Sequence, residues 1–128
     1  MLISLQLDSA VPLYEQLRNE IVLGIAKGKL PIGERLPTVR QLAEDLGINT
    51  MTVNKAYALL KQEGYIVIDR RHGAKVSGQL AHPIHAEYEA ALEKNLELMI
   101  AEAVVHGMTH EQFQKLCENT FSQMNIQS

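Results

Sequence analysis

The chain has 128 residues, 46% of them hydrophobic and 21% charged, with a formal net charge of −3; this excludes wholesale disorder and allows one domain, or a small domain with an attached element. No apolar run approaches the ~18 residues of a membrane span, the opening MLISLQLDSAVPLYEQ lacks the marks of a secretion signal, and the single Cys117 cannot close an internal disulfide, so a cytoplasmic protein with no membrane partner is expected. Residues 1–78 carry ten Lys/Arg against eight Asp/Glu and residues 79–128 two Lys against seven Glu, which predicts a mildly basic first part and an acidic second part.

In chain order, Pro12 suits the first position of a helix, where its missing N–H would have no partner anyway. Leu13, Leu17, Ile21, Gly24 and Ile25 then share one stripe until Gly28 stops the run, and Gly24 on that stripe is expected to permit close helix packing. GKLPIGERLP, residues 28–37, reads as a connector with a short extended piece at Glu34–Leu36. Thr38 and Gln41 form a capping box that opens a short helix lined by Val39, Leu42, Ala43 and Leu46. Gly47 breaks it, and Val53, Ala56, Tyr57 and Leu60 resume the helical period until Gly64. Two short helices across a tight Gly turn are a helix-turn-helix candidate. YIVIDRRHGAKVS, from Tyr65 to Ser77, reads as a hairpin with a polar DRRHG tip.

From about Ala81 the chain turns rich in Glu, Ala and Leu and predicts one long helix as far as Gly107, with Tyr88, Leu92, Leu96, Met99 and Ala103 on one side. A second capping box, Thr109 with Gln112, starts a last helix with Phe113, Leu116, Cys117 and Phe121 facing inward. The expected fold is mainly α with a small β-hairpin. It comprises a winged helix-turn-helix domain over residues 1–78 and a two-helix dimerisation region over residues 79–128. The Tyr88-to-Ala103 stripe is too long for the small domain to cover, so a homodimer is expected, with back-folding of the last helix as the alternative.

In a winged helix-turn-helix the second helix of the pair enters the major groove of double-stranded DNA. With Val53, Ala56 and Leu60 inward and about 100° per residue, Met51, Asn54, Lys55, Ala58, Lys61 and Gln62 face outward, and none is acidic. Asn49, Thr50 and Thr52 crowd the helix start, where hydroxyls and free N–H groups suit a phosphate. Asn54 suits adenine, Lys55 guanine or phosphate, and Met51 a thymine methyl. Asn49 or Thr50 serves equally well as a plain N-cap, Met51 as a loose core or interface contact, and Lys61 and Gln62 as solvated surface. Arg40 is spaced to pair with Glu44. Arg70, Arg71 and His72 at the hairpin tip repel one another unless an anion is present, and a phosphate backbone is such an anion.

Other function classes have less to rest on. No Ser, Cys or Asp stands beside a base in a recognisable catalytic spacing, so no enzyme and no catalytic residue is read here. His82, His85, His106 and His110 bracket the long helix and raise a metal- or ligand-sensing regulator. Its two pairs lie about 30 Å apart at ~1.5 Å per residue, and no metal or cofactor is assigned. A winged helix used purely for protein contacts is the third reading.

Gly33-x-x-Leu36-Pro37-Thr38-x-Arg40-x-Leu42-Ala43, followed by Thr52-Val53-x-x-Ala56-Tyr57-x-x-Leu60 and Glu63-Gly64, resembles the DNA-binding domain of the GntR family of bacterial transcriptional regulators, over Pro12 to Val76. The resemblance implies that Arg40 contacts DNA, that Asn49, Thr50, Thr52, Asn54 and Lys55 lie where the family reads bases, and that Gly73, flanked by Arg71 and His72, enters the minor groove. Thr50 and Asn54 stand where many members have Arg, and only the second of the usual wing glycines survives, as Gly73. That shifts the expected minor-groove contact onto Arg71 or His72. A tail of about fifty residues is too short for the effector domain of larger members. It is similar to the YtrA-type subfamily, which implies dimerisation through the tail, a two-fold-symmetric operator, and repression of the protein's own operon together with transporter genes. Nothing in the sequence names an effector.

Overall fold

The computed structural model describes residues 3–71, 73–78 and 86–124. The elements are α1 (Leu13–Ala26), α2 (Val39–Leu46), α3 (Thr50–Gln62), β1 (Ile66–Asp69), β2 (Gly73–Val76), α4 (Ala86–Val105) and α5 (His110–Phe121). The fold is mainly helical with one two-stranded hairpin, the class expected. Contacts divide it into two compact units, Met1–Ala81 and His82–Ser128. No helix among the described residues is long and apolar enough to cross a membrane.

In the first unit, three helices and the hairpin close over one core. Pro12 takes the cap position of α1 rather than its first turn, and its carbonyl accepts from Glu15 and Gln16. Leu17 and Ile21 are buried from α1, Leu42 and Ala43 from α2, and Val53, Ala56, Tyr57 and Leu60 from α3, the Leu, Ile and Val side chains contributing on the order of 1.5–3 kcal/mol each. Gly24 serves the connector rather than another helix: a Cβ there would meet Leu30 Cδ1 at 2.9 Å. With that space open, Leu30 folds under α1, and its N–H donates to the Gly24 carbonyl at 3.1 Å.

Both halves of the expected box at Thr38 and Gln41 are present. At the other end of α2, Gly47 adopts φ 67°, ψ 36°, and the Ile48 N–H donates back to the Ala43 carbonyl at 3.0 Å. This left-handed residue is what turns the chain from α2 into α3 within three positions. The buried Tyr57 hydroxyl donates to the Pro37 carbonyl at 2.7 Å. Burial pushes its pKa well up, so it stays a neutral donor.

The hairpin pairs Ile66 with Val76, Val67 with Lys75, Ile68 with Ala74 and Asp69 with Gly73. Its second strand is bonded on both edges. The Leu36 N–H donates to the Ala74 carbonyl at 2.8 Å and the Val76 N–H to the Glu34 carbonyl at 2.9 Å, so the extended piece expected at Glu34–Leu36 anchors the wing. Arg18 completes the unit. Its guanidinium grips Glu63 at 2.9 and 3.2 Å and lies 5.4 Å from the Tyr65 ring centroid, tying α1 to the end of α3 and the root of β1. The hydrogen bond to Glu63 holds the Arg18 pKa above its ordinary value.

The second unit is a helix pair without a core. Gly107 at φ 89° turns the chain, and the Thr109–Gln112 box starts α5 as expected. No residue of α4 or α5 is buried. Phe113 and Cys117 are half-buried, but Leu116 and Phe121 are 52% and 63% exposed. The expected inward face of α5 is therefore only half covered, because two helices alone have no third layer to close over it. The expected start of the long helix, near Ala81, lies outside the described residues.

Gly47→Ala has open space for its methyl group but must hold a left-handed conformation that costs about 1–2 kcal/mol in an L-residue. Urea unfolding should show a loss of that size with an unchanged m-value, and a neutral result would contradict the role of this turn.

Candidate nucleic-acid interface

The interface is built around the first two turns of α3. Because Val53, Ala56 and Leu60 are buried, the helical period turns Met51, Asn54, Lys55 and Ala58 to solvent, and all four are exposed. Met51 is 72% exposed, which removes the loose-core reading of this side chain. Thr52 is half-buried at the edge of the same face. No Asp or Glu occurs anywhere in α3.

Asn49 has a definite task. Its Oδ1 accepts the Met51 N–H at 2.8 Å, and its carbonyl accepts from Thr52 and Val53. It is the N-cap of α3, so in the free protein its side chain is committed to the helix. Thr50 is the first helical residue and is exposed. Arg40, in the first turn of α2, is exposed, and among the described residues it makes no ion pair with Glu44.

Two open concavities flank α3. One, about 810 Å³, runs from Met51, Thr52, Asn54, Lys55 and Ala58 to Pro12, Leu13 and Tyr14 at the start of α1. The other, about 360 Å³, lies between α3 and the wing and brings Asn54, Ala58 and Lys61 together with Ile68 and Gly73. Asn54 lines both. Arg70 and Arg71 are exposed at the wing tip, where the Asp69 carboxylate accepts the Arg71 N–H at 2.7 Å, and Gly73 has φ 70°. His72, the remaining tip residue, lies outside the described residues.

The structure also gives a place to residues not assigned to the DNA contact. Lys61, outward on the helical period but read as solvated surface, shares the wing-side groove with Gly73. Its spacing of seven from Asn54, two helical turns, carried that signal. Tyr14 stands beneath Lys55, with the ammonium 4.0 Å from its ring centroid. Nothing local in the sequence pairs residues so far apart.

In the second unit, Tyr88, Leu92, Leu96 and Met99 are between 39% and 57% exposed and Ala103 is half-buried. An apolar groove of about 260 Å³ runs beside them, lined by Met99, Phe113, Leu116, Cys117, Thr120, Phe121 and Met124. His82 and His85 lie outside the described residues, and the described residues hold no cluster of three or more His, Cys, Asp or Glu able to grip a metal ion.

Comparison with known proteins places this arrangement. Residues 13–76 match the model of the bacterial regulatory proteins of the gntR family. The HTH-type transcriptional repressor YtrA of Bacillus subtilis is 31% identical over 109 residues, 84% of this chain and 84% of its own length. An HTH-type transcriptional regulator of Mycobacterium tuberculosis is 42% identical over 66 residues, 52% of this chain and 54% of its own length. Among solved structures, a transcriptional antiterminator from Listeria monocytogenes superposes with a TM-score of 0.86 at 27% identity, covering 94% of this chain and 90% of that one. The DNA-binding domain of AraR, solved in complex with operator ORR3, superposes with a TM-score of 0.51 at 26% identity over 60% of this chain and 93% of that domain.

Asn49→Ala removes a satisfied cap and should cost about 1 kcal/mol of stability, read as a lower thermal midpoint. An unchanged midpoint would mean that Asn49 is not committed to the cap.

Proposed function

The chain belongs to the GntR family of bacterial regulatory proteins, and from that premise we propose that it is a homodimeric transcriptional repressor that occupies a two-fold-symmetric operator in the promoter of its own operon. The single observation that carries this reading is the face of α3, exposed at Met51, Asn54, Lys55 and Ala58 and free of acidic residues, with Arg40 exposed on α2 and Arg70 and Arg71 exposed at the wing tip. The likeness of the first unit to a domain solved on operator DNA supports the same partner, and the likeness to a repressor over most of the chain supports repression.

The division of labour follows from chemistry. Met51, Thr52, Asn54 and Lys55 enter the major groove on α3, Asn54 offering a paired donor and acceptor to adenine. Thr50 and the backbone at the start of α3 meet a phosphate, and Asn49 holds that start in place. Arg40 contacts the phosphate backbone. Arg70, Arg71, His72 and Gly73 form the wing contact, with Gly73 providing the close approach and the arginines the charge.

Dimerisation belongs to the tail. A stripe of Tyr88, Leu92, Leu96 and Met99 left this exposed on an acidic helix is covered most simply by a second copy, which sets two reading heads about one helical turn of DNA apart. Repression is then by occupancy.

Fluorescence anisotropy on a duplex from the protein's own upstream region, against a scrambled duplex across salt concentrations, tests the reading. Preferential binding with log affinity falling by about 0.9 per neutralised phosphate for each unit of log salt is expected. Equal or salt-insensitive binding would overturn it in favour of protein contacts. Asn54→Ala should relax preference at one base pair by about 1–3 kcal/mol; a uniform loss on all sequences would reassign it to the backbone. Leu96→Glu should turn a dimer into a monomer in sedimentation and weaken operator binding, and an unchanged dimer would place the interface elsewhere.

A further inference from the structure

Two cations of the first unit lie over aromatic rings, and they differ in what else holds them. Arg18, over Tyr65, is also gripped by both carboxylate oxygens of Glu63. Lys55 lies over Tyr14 at 4.0 Å, and among the described residues it has no carboxylate partner. Arg18 is satisfied within the protein. Lys55 is held in place by a ring that takes up only one side of the ammonium, so its N–H donors still face solvent.

The direction of that hold matters. Tyr14 lies in the first turn of α1, half-buried and packed against the core, so its ring is fixed. Because α1 packs against α3 and Lys55 shares a concavity with Pro12, Leu13 and Tyr14, the ring holds the Lys55 ammonium on the α1 side of the helix. A helix lying in the major groove has base edges in front of it and phosphates along its sides. A lysine on a free four-carbon stem would sample both; one seated on Tyr14 is aimed at the side.

We propose that Tyr14 is a positioning residue for DNA binding, which seats Lys55 on its ring and so makes Lys55 a phosphate contact, leaving base reading to Asn54 and the first turn of α3. The inference rests on the DNA-binding reading above and deepens it. The order of the two elements gives it a consequence: the opening turn of α1 shapes the interface without itself reading bases.

The test compares Tyr14→Leu, Tyr14→Phe, Lys55→Ala and the Tyr14→Leu/Lys55→Ala double variant by anisotropy on the upstream duplex and on a duplex of random sequence, with NMR of the free proteins alongside. In the wild type, the Lys55 Cε protons should sit upfield under the Tyr14 ring current. That shift should vanish in Tyr14→Leu and survive in Tyr14→Phe. Tyr14→Leu should weaken binding about two- to fivefold on both duplexes, Tyr14→Phe should bind like the wild type, and Tyr14→Leu should add nothing once Lys55 is gone. Lys55→Ala should lower the salt slope by about one.

Ordinary Lys55 shifts in the wild type would overturn the proposal, as would a full additional loss in the double variant or a loss in Tyr14→Phe equal to that in Tyr14→Leu. A loss confined to the upstream duplex would return Lys55 to base reading and overturn it as well. If Tyr14→Leu fails to fold, the wild-type shifts and the Tyr14→Phe variant still decide. A wild type that binds neither duplex brings down the DNA-binding reading, and this proposal with it; a wild type that binds while the variants behave additively brings down this proposal alone.

Discussion

Everything at the candidate interface depends on the rotational phase of α3. A helix turns about 100° per residue, so burying Val53, Ala56, Tyr57 and Leu60 at 0–3% exposure leaves no freedom in which side chains point out. Asn54, Lys55 and Ala58 are outside because their neighbours are inside. The core also fixes where the helix begins. Gly47 in its left-handed conformation and Asn49 as cap put the start of α3 at Thr50, so the first turn, with its uncharged polar side chains, is presented as a rigid unit rather than as a loop. The Tyr57 hydroxyl bonded to the Pro37 carbonyl and the Arg18–Glu63 pair lock the same helix along its length.

Charge is arranged to suit an anionic partner, although the chain as a whole is acidic. Glu63, just past the end of α3, is paired with Arg18, so its negative charge is offset within the protein. Asp69 at the wing accepts the Arg71 N–H, which shapes the tip and keeps Arg70 and Arg71 outward. The excess of Glu is confined to the second unit, after residue 78. The net charge of −3 is therefore not the charge of the first unit, whose residues up to 78 carry ten Lys/Arg against eight Asp/Glu.

Much of this was legible in the sequence, and the reason differs from element to element. Thr38–Gln41 and Thr109–Gln112 carry their own capping boxes, Gly47 and Gly107 mark turns that need positive φ, and the β-rich run from Tyr65 with its polar DRRHG tip sets a hairpin: each is a signal contained within a few residues. The α3 face followed from period alone, Lys61 included. What stayed hidden is what joins distant positions. The seat of Lys55 on Tyr14 and the Arg18–Glu63 clamp span 41 and 45 residues, and no local rule pairs them. The inward face expected on α5 failed at Leu116 and Phe121 for a related reason: apolar spacing says that a face wants cover but not what supplies it.

The central claim is that one face of the first unit, set by the buried stripe of α3, meets the DNA. The most direct measurement is a map of backbone amide shifts in the labelled protein as a duplex from its own upstream region is added. The account predicts changes concentrated at Arg40, at Asn49 through Lys55 and at the wing from Arg70 to Gly73, with the Arg18–Glu63 side of the unit unmoved. Changes centred instead on α4 and α5, or on the Arg18–Glu63 side, would contradict it.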